Sequence, residues 1–353
     1  MTAAESRPCQ ISIIIPHWNG ISVLSECLDS LLGDVPEDTE IIVVDNHSTD
    51  GSPQYLKERY PQVRLVENRE NRGYAGGCND GAAVASGRYY LFLNNDTIHR
   101  PGWIQTLVAA LEAEPDVAAV QPKILNYYQR DLFDYAGGSG GELDLFVYPF
   151  ARGRIFQSQE RDEGQYDDPV DIFWASGTAL MVRAECFREV GRFDESFFAH
   201  MEEIDLCWKF HLQGKRVKII PSAVIYHRNA VTLTMYSFRK YYLNHRNSLM
   251  LLLTNYNLPL TLYLFPLRFV LEWVALGYAL VYRDWNHVRG ICAALGWLIF
   301  HPGDIVRRRR FVRSVRTVKD RQLVRSLYRG SIVVAYYVLR KKSYRALGLG
   351  SPR

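Results

Sequence analysis

The sequence lacks the cysteine patterns of a zinc site or of a disulfide framework. Its 353 residues include six cysteines, none of which forms a CxxC pair. No group of cysteine and histidine has the spacing of zinc ligands. Scattered cysteines of this kind are typical of buried free thiols in a reducing compartment. We therefore expect free thiols and no structural zinc.

Targeting and nucleotide-loop motifs are also missing. The first apolar run, residues 11–15, is too short for a signal peptide and is followed at once by Pro16, so we expect a cytoplasmic orientation. No GxGxxG sequence follows a strand, and no Walker A lysine motif occurs. Residues 249–300 are strongly apolar but interrupted by polar residues, so we expect no uninterrupted stretch of the ~20 residues that span a bilayer.

Charge is unevenly distributed along the chain. The net charge is only +4, but most acidic residues precede position 205 and an arginine-rich segment follows position 306. A basic tail suits an anionic partner, either a lipid surface or nucleic acid. The neighbouring apolar and aromatic segments, such as residues 269–282 and 291–300, favour amphipathic helices at a membrane surface. A soluble helical subdomain is the alternative. Base-stacking aromatics in a defined motif are absent, so we expect no nucleic-acid partner.

The first half alternates short apolar runs with helical spacing. Residues 11–15, 40–44, 63–66, 89–93 and 117–121 are predicted strands, and helical segments lie between them. This alternation predicts an α/β fold with a mostly parallel sheet and helices on both faces. Ligands bind such sheets beyond the carboxyl ends of the strands. Polar residues follow three strands there, at 16–19, 45–48 and 94–96.

Residues 127–170 show no clear periodicity and contain the glycine cluster 137–141. We predict a long loop region over the site, with the glycines providing flexibility.

Five short segments carry side chains suited to chemistry, although most of them alone have a simpler explanation. Asp96 at a strand end can hold a divalent cation, or can simply cap a turn. Asp45 can accept a hydrogen bond from a nucleobase. Residues 68–80 open a helix whose first amides can bind an anion, or only begin the helix. The acids at 202–205 can supply a general base, or only complement the helix dipole. His227 ends a strand and can bind metal, or can be structural.

Together these segments resemble glycosyltransferase family 2, and within it the bacterial rhamnosyltransferase-like group. The resemblance covers roughly residues 11–250. Its landmarks, in order, are Ile13-Ile14-Ile15-Pro16-His17-Trp18-Asn19-Gly20, Val43-Val44-Asp45-Asn46-His47-Ser48, Asn71-Arg72-Gly73-Tyr74-Ala75-Gly76-Gly77-Cys78-Asn79, Leu93-Asn94-Asn95-Asp96-Thr97, Trp174-Ala175-Ser176-Gly177-Thr178 and Gly191-Arg192-Phe193-Asp194-Glu195 with the segment 202–208.

The resemblance implies a GT-A fold and inversion at the anomeric carbon. It implies a Mg²⁺ or Mn²⁺ ion bound by Asp96, His227 and Asn94, where Asn94 replaces the first carboxylate of the DxD-type motif. It places Glu203 where the family usually has an aspartate base, with Asp205 as the other candidate. The donor-binding residues that we predict are Pro16, Asn19, Asp45, Asn71, Gly73, Tyr74, Asn79 and Asn95. The predicted acceptor pocket contains Trp174, Gly177 and Glu202, although Trp174 is equally suited to core packing.

We therefore predict a GT-A catalytic domain at residues 1–235 and an apolar, basic, membrane-associating helical region at 236–353. The predicted reaction moves a sugar, first of all L-rhamnose from dTDP-L-rhamnose, to a hydroxyl of a lipid-linked or cell-surface glycan precursor. Subgroup resemblance alone favours rhamnose, so galactofuranosyl, glucosyl and N-acetylglucosaminyl donors remain open, as does a polyprenyl-phosphate acceptor. A non-catalytic glycan-binding relative is the alternative of another class. We expect the protein at the cytoplasmic face of the membrane, peripheral or monotopic.

Overall fold

A computed structural model describes residues 9–228 and 236–349 of the chain. The predicted domain boundary at 235/236 lies at the edge of the segment 229–235, which is outside the described residues. The division into two domains therefore stays a prediction.

The β-strands of the described residues all lie in the N-terminal part, before residue 228. The strands of the described residues are β1 (Ile11–His17), β2 (Thr39–Asp45), β3 (Arg64–Glu67), β4 (Tyr89–Leu93), β5 (Thr97–His99), β6 (Val117–Asn126), β7 (Gly141–Leu143), β8 (Pro149–Ala151), β9 (Arg154–Ile155), β10 (Ser158–Gln159), β11 (Val170–Asp171), β12 (Ala179–Arg183) and β13 (Arg216–His227).

Helices lie between these strands and make up most of the C-terminal part. The α-helices are α1 (Ile21–Leu32), α2 (Ser52–Arg59), α3 (Gly73–Val84), α4 (Trp103–Ala113), α5 (Ala184–Glu189), α6 (Glu202–Leu212), α7 (Phe238–Asn255), α8 (Leu258–Val281), α9 (Trp285–Phe300), α10 (Pro302–Val315) and α11 (Asp320–Leu323). Short 3₁₀ turns at Glu195–Phe197 and Arg345–Leu347 and a π-helical turn at Val334–Val338 complete the described helices.

The main sheet is mixed but mostly parallel, as predicted. Its strand order is β11-β13-β6-β12-β4-β1-β2-β3, and β5 pairs with β13. Strands β4, β1, β2 and β3 run parallel to one another, and β6 runs parallel to β13. Strand β12 is antiparallel to both β4 and β6 and joins the two parallel groups.

The alternation of side chains along the strands builds a core on each face of this sheet. Ile13 and Ile15 of β1 pack in one cluster with Leu28 of α1, whereas Ile14 packs in the other with Trp208 of α6. Because both faces are covered, the strands read as continuous apolar runs in the sequence. The polar residues that follow β1 and β4 therefore lie at the carboxyl-end edge of the sheet, beyond its two covered faces.

Within residues 127–170, the part from 141 to 159 forms a second, antiparallel sheet, so the prediction of one long loop region is wrong for that part. This sheet has the order β10-β9-β8-β7. The glycine cluster is buried and allows close packing: a Cβ at Gly141 would lie 2.1 Å from the ring of Trp174. Gly137 and Gly140 have φ values of 102° and 110°, which side chains rarely adopt. The glycines therefore serve packing and not flexibility.

Helix α8 corrects the expectation that no stretch is long enough to span a bilayer. It has 24 residues, and by length and composition it could cross a membrane. Only 22% of its most apolar window is buried in the protein, so it is not a core helix. Its charged residues Arg268 and Glu272 are buried and paired with each other, and Glu272 also contacts His245 at 2.7 Å. The two charges that interrupt the sequence pattern thus point away from the exposed apolar face.

This buried ion pair gives a stability prediction. Glu272→Gln leaves Arg268 as an uncompensated buried cation, so we expect the free energy of unfolding to fall by about 3–5 kcal/mol. The matched control is Arg307→Gln, which breaks the exposed pair between Arg307 and Asp304 and costs about 0–1 kcal/mol. Denaturant unfolding of both variants measures the difference. Equal destabilisation by the two substitutions would contradict the structural role of the buried pair.

Candidate active site

A cleft of about 1260 Å³ opens at the carboxyl ends of β1 and β4 and extends to the C-terminal helices. The lining residues that we predicted as site residues are Pro16, Asn71, Gly73, Tyr74, Asn94, Asn95, Asp96, Trp174, Gly177, Glu202, Glu203 and His227. Most of the predicted site residues therefore share one cleft, although they are up to 211 positions apart in the chain.

Asp96 and His227 meet at one end of this cleft. Asp96 Oδ1 lies 3.1 Å from His227 Nε2, and the other ring nitrogen, Nδ1, lies 2.9 Å from Asp134 Oδ1. Strand β13 carries His227 at its last position and pairs there with Thr97 of β5, directly after Asp96. A carboxylate on the far nitrogen orients a metal-binding histidine in many proteins. Asp134 occupies that position here.

The donor set fits a divalent cation that also binds substrate phosphate. Mg²⁺ takes one or two protein carboxylates and fills its shell with water and phosphate oxygens. Within residues 9–228 and 236–349, no three acidic, histidine or cysteine side chains form a complete metal cage. Burial lowers the pKa of His227, but Asp96 and Asp134 outweigh it and raise that pKa well above its usual value. The carboxylates of Asp96 and Asp134 thus stabilise positive charge at His227.

Asn94 and Asn95 flank this pair. Asn94 Nδ2 lies 3.4 Å from His227 Nε2, at the outer limit of a hydrogen bond. Asn95 Nδ2 lies 2.7 Å from His17 Nδ1, whose other ring nitrogen contacts Ser52 Oγ at 2.8 Å. Asn94 therefore lies beside the pair of Asp96 and His227, with its amide nitrogen toward the ring, whereas Asn95 is tied to the end of β1.

Glu202 and Glu203 begin α6 and line the same cleft. The preceding Met201 has a φ of 74°, which turns the chain sharply into the helix. One carboxylate oxygen of each glutamate is buried without a hydrogen-bond partner. Burial raises the pKa of Glu203 to about 7, and burial together with the neighbouring Glu203 raises the pKa of Glu202 well above its usual value. A carboxylate of this kind can accept a proton near neutral pH.

Asp205, the other candidate base, does not line the cleft. Its carboxylate is fully buried and contacts Lys209 Nζ at 2.6 Å and Arg308 Nη2 at 3.3 Å. Asn255 Nδ2 donates to the same carboxylate at 3.0 Å. Asp205 thus lies on the side of α6 that packs against α7 and α10. It therefore anchors α6 to α7 and α10.

Three of the predicted donor-binding residues, Asn19, Asp45 and Asn79, also do not line the cleft. Asn19 accepts from the Thr49 amide and donates its own backbone amide to Ser48 Oγ, both at 2.8–2.9 Å. Asn79 Nδ2 donates to the Phe193 carbonyl at 2.9 Å. The side chains of Asn19 and Asn79 bond the backbone of other segments, so the structure does not support direct donor contact by either. Asp45 is 2% exposed, with Oδ2 bonded to the Ser48 amide and Oδ1 left without a partner.

The start of α3 is a closed helix terminus and not an open anion site. The Gly73 amide donates to Asn71 Oδ1, and the Tyr74 amide donates to the Phe198 carbonyl. Gly73 has a φ of 71°, and a Cβ there would lie 2.3 Å from the Phe198 oxygen. The glycine therefore lets the segment before α6 pack against α3. The phosphate-binding interpretation of these amides was wrong.

Trp174 and Gly177 form part of the cleft wall. Trp174 is 5% exposed and donates from Nε1 to the Glu142 carbonyl at 2.8 Å, so it packs in the core as well as lining the cleft. Tyr74 Oη donates to the Gly177 carbonyl at 2.6 Å. This bond ties the start of α3 to Gly177 in the cleft wall.

Sequence reasoning missed four cleft or near-cleft residues: Asp134, Arg154, His200 and Lys240. Asp134 and Arg154 belong to the segment that we took for a loop, and Lys240 lies after the family landmarks. His200 Nε2 is buried without a partner, and burial lowers its pKa to about 4. No sequence pattern marks these positions, because the tertiary fold alone brings them to the cleft.

Comparison with known proteins decides the family. A sequence model described as Glycosyl transferase family 2 matches residues 12–190, which is more than half of the chain. The chain belongs to glycosyl transferase family 2. The predicted family is thus confirmed, and the matched segment contains Asp45 and Asp96 but ends before Glu203 and His227.

Two relatives from Mycobacterium tuberculosis illustrate the similarity. N-acetylglucosaminyl-diphospho-decaprenol L-rhamnosyltransferase is 29% identical over 207 residues, which cover 54% of this chain and 66% of that protein. Pre-mycofactocin glycosyltransferase is 27% identical over 254 residues, which cover 68% of this chain and 48% of that protein. The chain thus spans less than two-thirds of the length of either relative.

Among solved structures, GalNAc-T7 with UDP, GalNAc and Mn²⁺ has a TM-score of 0.54 at 16% identity. The similarity covers 69% of this chain and 48% of that one. At this identity it supports the fold alone. With the mixed sheet and its flanking helices, it confirms the predicted GT-A-type fold.

Proposed function

We propose that this protein is an inverting glycosyltransferase that transfers a sugar from a nucleotide-sugar donor to a hydroxyl group. The observation that carries the proposal is the presence of two functional pairs in one cleft. Asp96 and His227 form an oxygen and nitrogen donor set at one wall, and Glu202 and Glu203 form a buried carboxyl pair at another. A single displacement needs both a stabilised leaving group and a base for the incoming hydroxyl.

In the proposed reaction, the Glu203 carboxylate accepts the proton of the acceptor hydroxyl. The hydroxyl oxygen forms a bond to the anomeric carbon as the bond from that carbon to the donor phosphate breaks. The nucleoside diphosphate leaves with the electron pair of the broken bond. Asp96 and His227, with Asn94 beside them, would hold a divalent cation, Mg²⁺ or Mn²⁺, which would supply positive charge to offset the negative charge of the leaving group.

Other residues orient the two substrates. Asp45 Oδ1, buried and unpartnered, is suited to accept from an N–H group of the nucleobase. Pro16, Asn71, Gly73 and Asn95 line the cleft on the donor side. Trp174 and Gly177 line the wall where we place the acceptor sugar, since aromatic faces pack well against sugar rings.

For the substrates, we propose L-rhamnose from dTDP-L-rhamnose and a lipid-linked or cell-surface glycan precursor. The named rhamnosyltransferase relative supports this choice. The exposed apolar face of α8 supports a location at a membrane surface, and we place the protein at its cytoplasmic face. UDP-sugars are the competing donors.

A donor titration tests the proposal. Purified protein is titrated calorimetrically with dTDP-rhamnose, UDP-galactose, UDP-N-acetylglucosamine and GDP-mannose, with Mn²⁺ or with EDTA. We expect Mn²⁺-dependent binding of dTDP-rhamnose, with the other donors at least tenfold weaker. Tighter binding of a UDP-sugar would keep the reaction class and overturn the donor. Absence of binding by all four would favour the non-catalytic glycan-binding alternative.

A further inference from the structure

Two basic side chains approach each other in a part of the cleft that the proposed reaction does not use. Arg154 comes from β9 and Lys240 from the first turn of α7, and both line the cleft. Both side chains pack against the ring of Tyr135. The Arg154 guanidinium carbon is 3.6 Å from the ring centroid, and Lys240 Nζ is 5.6 Å from it. Two cations from different parts of the fold thus share one aromatic ring.

This position is rich in positive charge. Arg154 is only 8% exposed, and its Nε donates to the Phe156 carbonyl at 2.8 Å. Among the described residues, no carboxylate lies within ion-pair distance of its guanidinium. Asp134 raises the pKa of Arg154 from a greater distance and is itself bonded to His227. Burial lowers the pKa of Lys240. Tyr135 raises this pKa, and the positive charge of Arg154 lowers it again. An anion between the two side chains would relieve this repulsion.

The pair lies next to the metal-binding end of the cleft but is distinct from it. Tyr135 directly follows Asp134, which contacts His227. The donor diphosphate already has a place at Asp96 and His227. The cation pair therefore offers a place for a second phosphate group, apart from that of the donor.

On its other side the pair borders an apolar mouth. The ring of Phe156 packs against Tyr337 at 5.4 Å, and Tyr337 lies 6.3 Å from Tyr278 of α8. Tyr278 and Tyr337 are 52% and 50% exposed, and both line the cleft. Val274 and Val338, also exposed, line it beside them. The cleft thus opens onto the exposed apolar face of α8.

We propose that Arg154 and Lys240 bind the phosphate of a lipid-linked acceptor whose hydrocarbon tail leaves the cleft through this apolar mouth. The inference rests on the proposed function, in which the acceptor hydroxyl reaches Glu203. It makes the acceptor an amphiphile with three parts in a fixed order: a sugar in the cleft, a phosphate or diphosphate at the cation pair, and a tail on the face of α8. A soluble anion would leave the apolar mouth without a role.

Binding of a short acceptor mimic tests this assignment without any turnover. Farnesyl diphosphate, farnesol and inorganic diphosphate are titrated calorimetrically in detergent with EDTA, so that no metal at Asp96 and His227 contributes. We expect farnesyl diphosphate to bind at least tenfold more tightly than either of the others. Arg154→Gln and Lys240→Gln should each weaken its affinity about tenfold or more, because each removes a charged hydrogen-bond donor. Lys57→Gln, a charge-matched change at an exposed residue of α2, should leave it unchanged.

Three results would overturn the assignment: unchanged farnesyl diphosphate affinity in both variants, equal affinity for inorganic diphosphate, or equal affinity for farnesol. Donor binding in Mn²⁺ is measured in parallel. If both variants weaken the donor as much as farnesyl diphosphate, the cations belong to the donor site and the assignment is again wrong. If the unaltered protein binds farnesyl diphosphate but binds no nucleotide-sugar donor, the proposed transfer reaction is rejected instead.

Discussion

Glu203→Gln is expected to lower kcat for sugar transfer by about 10²–10⁴-fold, the usual contribution of a general base. The substitution keeps the size of the side chain and its place at the start of α6, but it removes the proton acceptor. Donor affinity should stay within about twofold, because Glu203 acts on the acceptor hydroxyl. The measurement is a single-turnover assay of sugar transfer together with calorimetric donor binding.

Glu202→Gln is the matched control for this prediction. It changes the adjacent carboxyl of the same cleft and leaves Glu203 able to ionise, so we expect a loss smaller than tenfold. A large loss with Glu202→Gln and a small one with Glu203→Gln would transfer the role of base to Glu202. Small losses of kcat in both variants would mean that neither glutamate of α6 is the base.

The pH dependence of the unaltered enzyme follows from the same carboxyl pair. Burial raises the pKa of Glu203 to about 7, and the protonated form cannot accept a proton. The rate should therefore be low near pH 5, rise through pH 7 and level off above it. Because Glu202 and Glu203 lie side by side, the midpoint belongs to the pair and not to one residue. This rising limb should be absent from the residual activity of Glu203→Gln.

The second large effect is expected for Asp96→Ala, which removes the carboxylate of the metal-binding pair. Metal stabilisation of a leaving group is worth several kcal/mol, so kcat should fall by about 10³-fold or more. The variant should also lose the dependence of activity on Mn²⁺ concentration. Turnover over a Mn²⁺ series, with Mn²⁺ binding measured by electron paramagnetic resonance, checks both statements.

Asp134→Asn provides a graded comparison for the metal site. Asp134 contacts the ring nitrogen of His227 that faces away from Asp96. Its loss should therefore weaken Mn²⁺ binding about 10–100-fold without abolishing it. An Asp96→Ala enzyme with unaltered activity and unaltered Mn²⁺ dependence would contradict the metal-binding role of this end of the cleft.

Much of the fold and part of the site could be predicted from the sequence. The continuous apolar runs of β1, β2 and β4 mark buried parallel strands, and the polar residues after them mark the cleft. Asp96, Glu203 and His227 each lie at the end or start of a regular element, where the resemblance could place them. Asn19 and Asn79 lie in the same landmarks, but their side chains connect loops, and a motif does not distinguish the two roles.

The remaining errors have physical causes. Strands β7–β10 have only two or three residues each, so no periodicity could mark the second sheet. Arg154 reaches the cleft from that sheet, and Asp134 contacts His227 from the segment before it, so both were missed with this region. In α8, Arg268 and Glu272 looked like interruptions of an apolar run, but they are one helical turn apart and pair inside the protein. Asp205 is one residue beyond the cleft-facing part of α6, a difference that only the packed helix shows.

The central claim is a single-displacement transfer from a nucleotide sugar, and the anomeric configuration of the product tests it most directly. The enzyme is incubated with its preferred donor and a lipid-linked sugar acceptor, and the product is examined by nuclear magnetic resonance. The account predicts one new glycosidic bond of configuration opposite to that of the donor, with one nucleoside diphosphate released for each bond formed. A product of retained configuration, or nucleoside diphosphate release without a new bond, would contradict it.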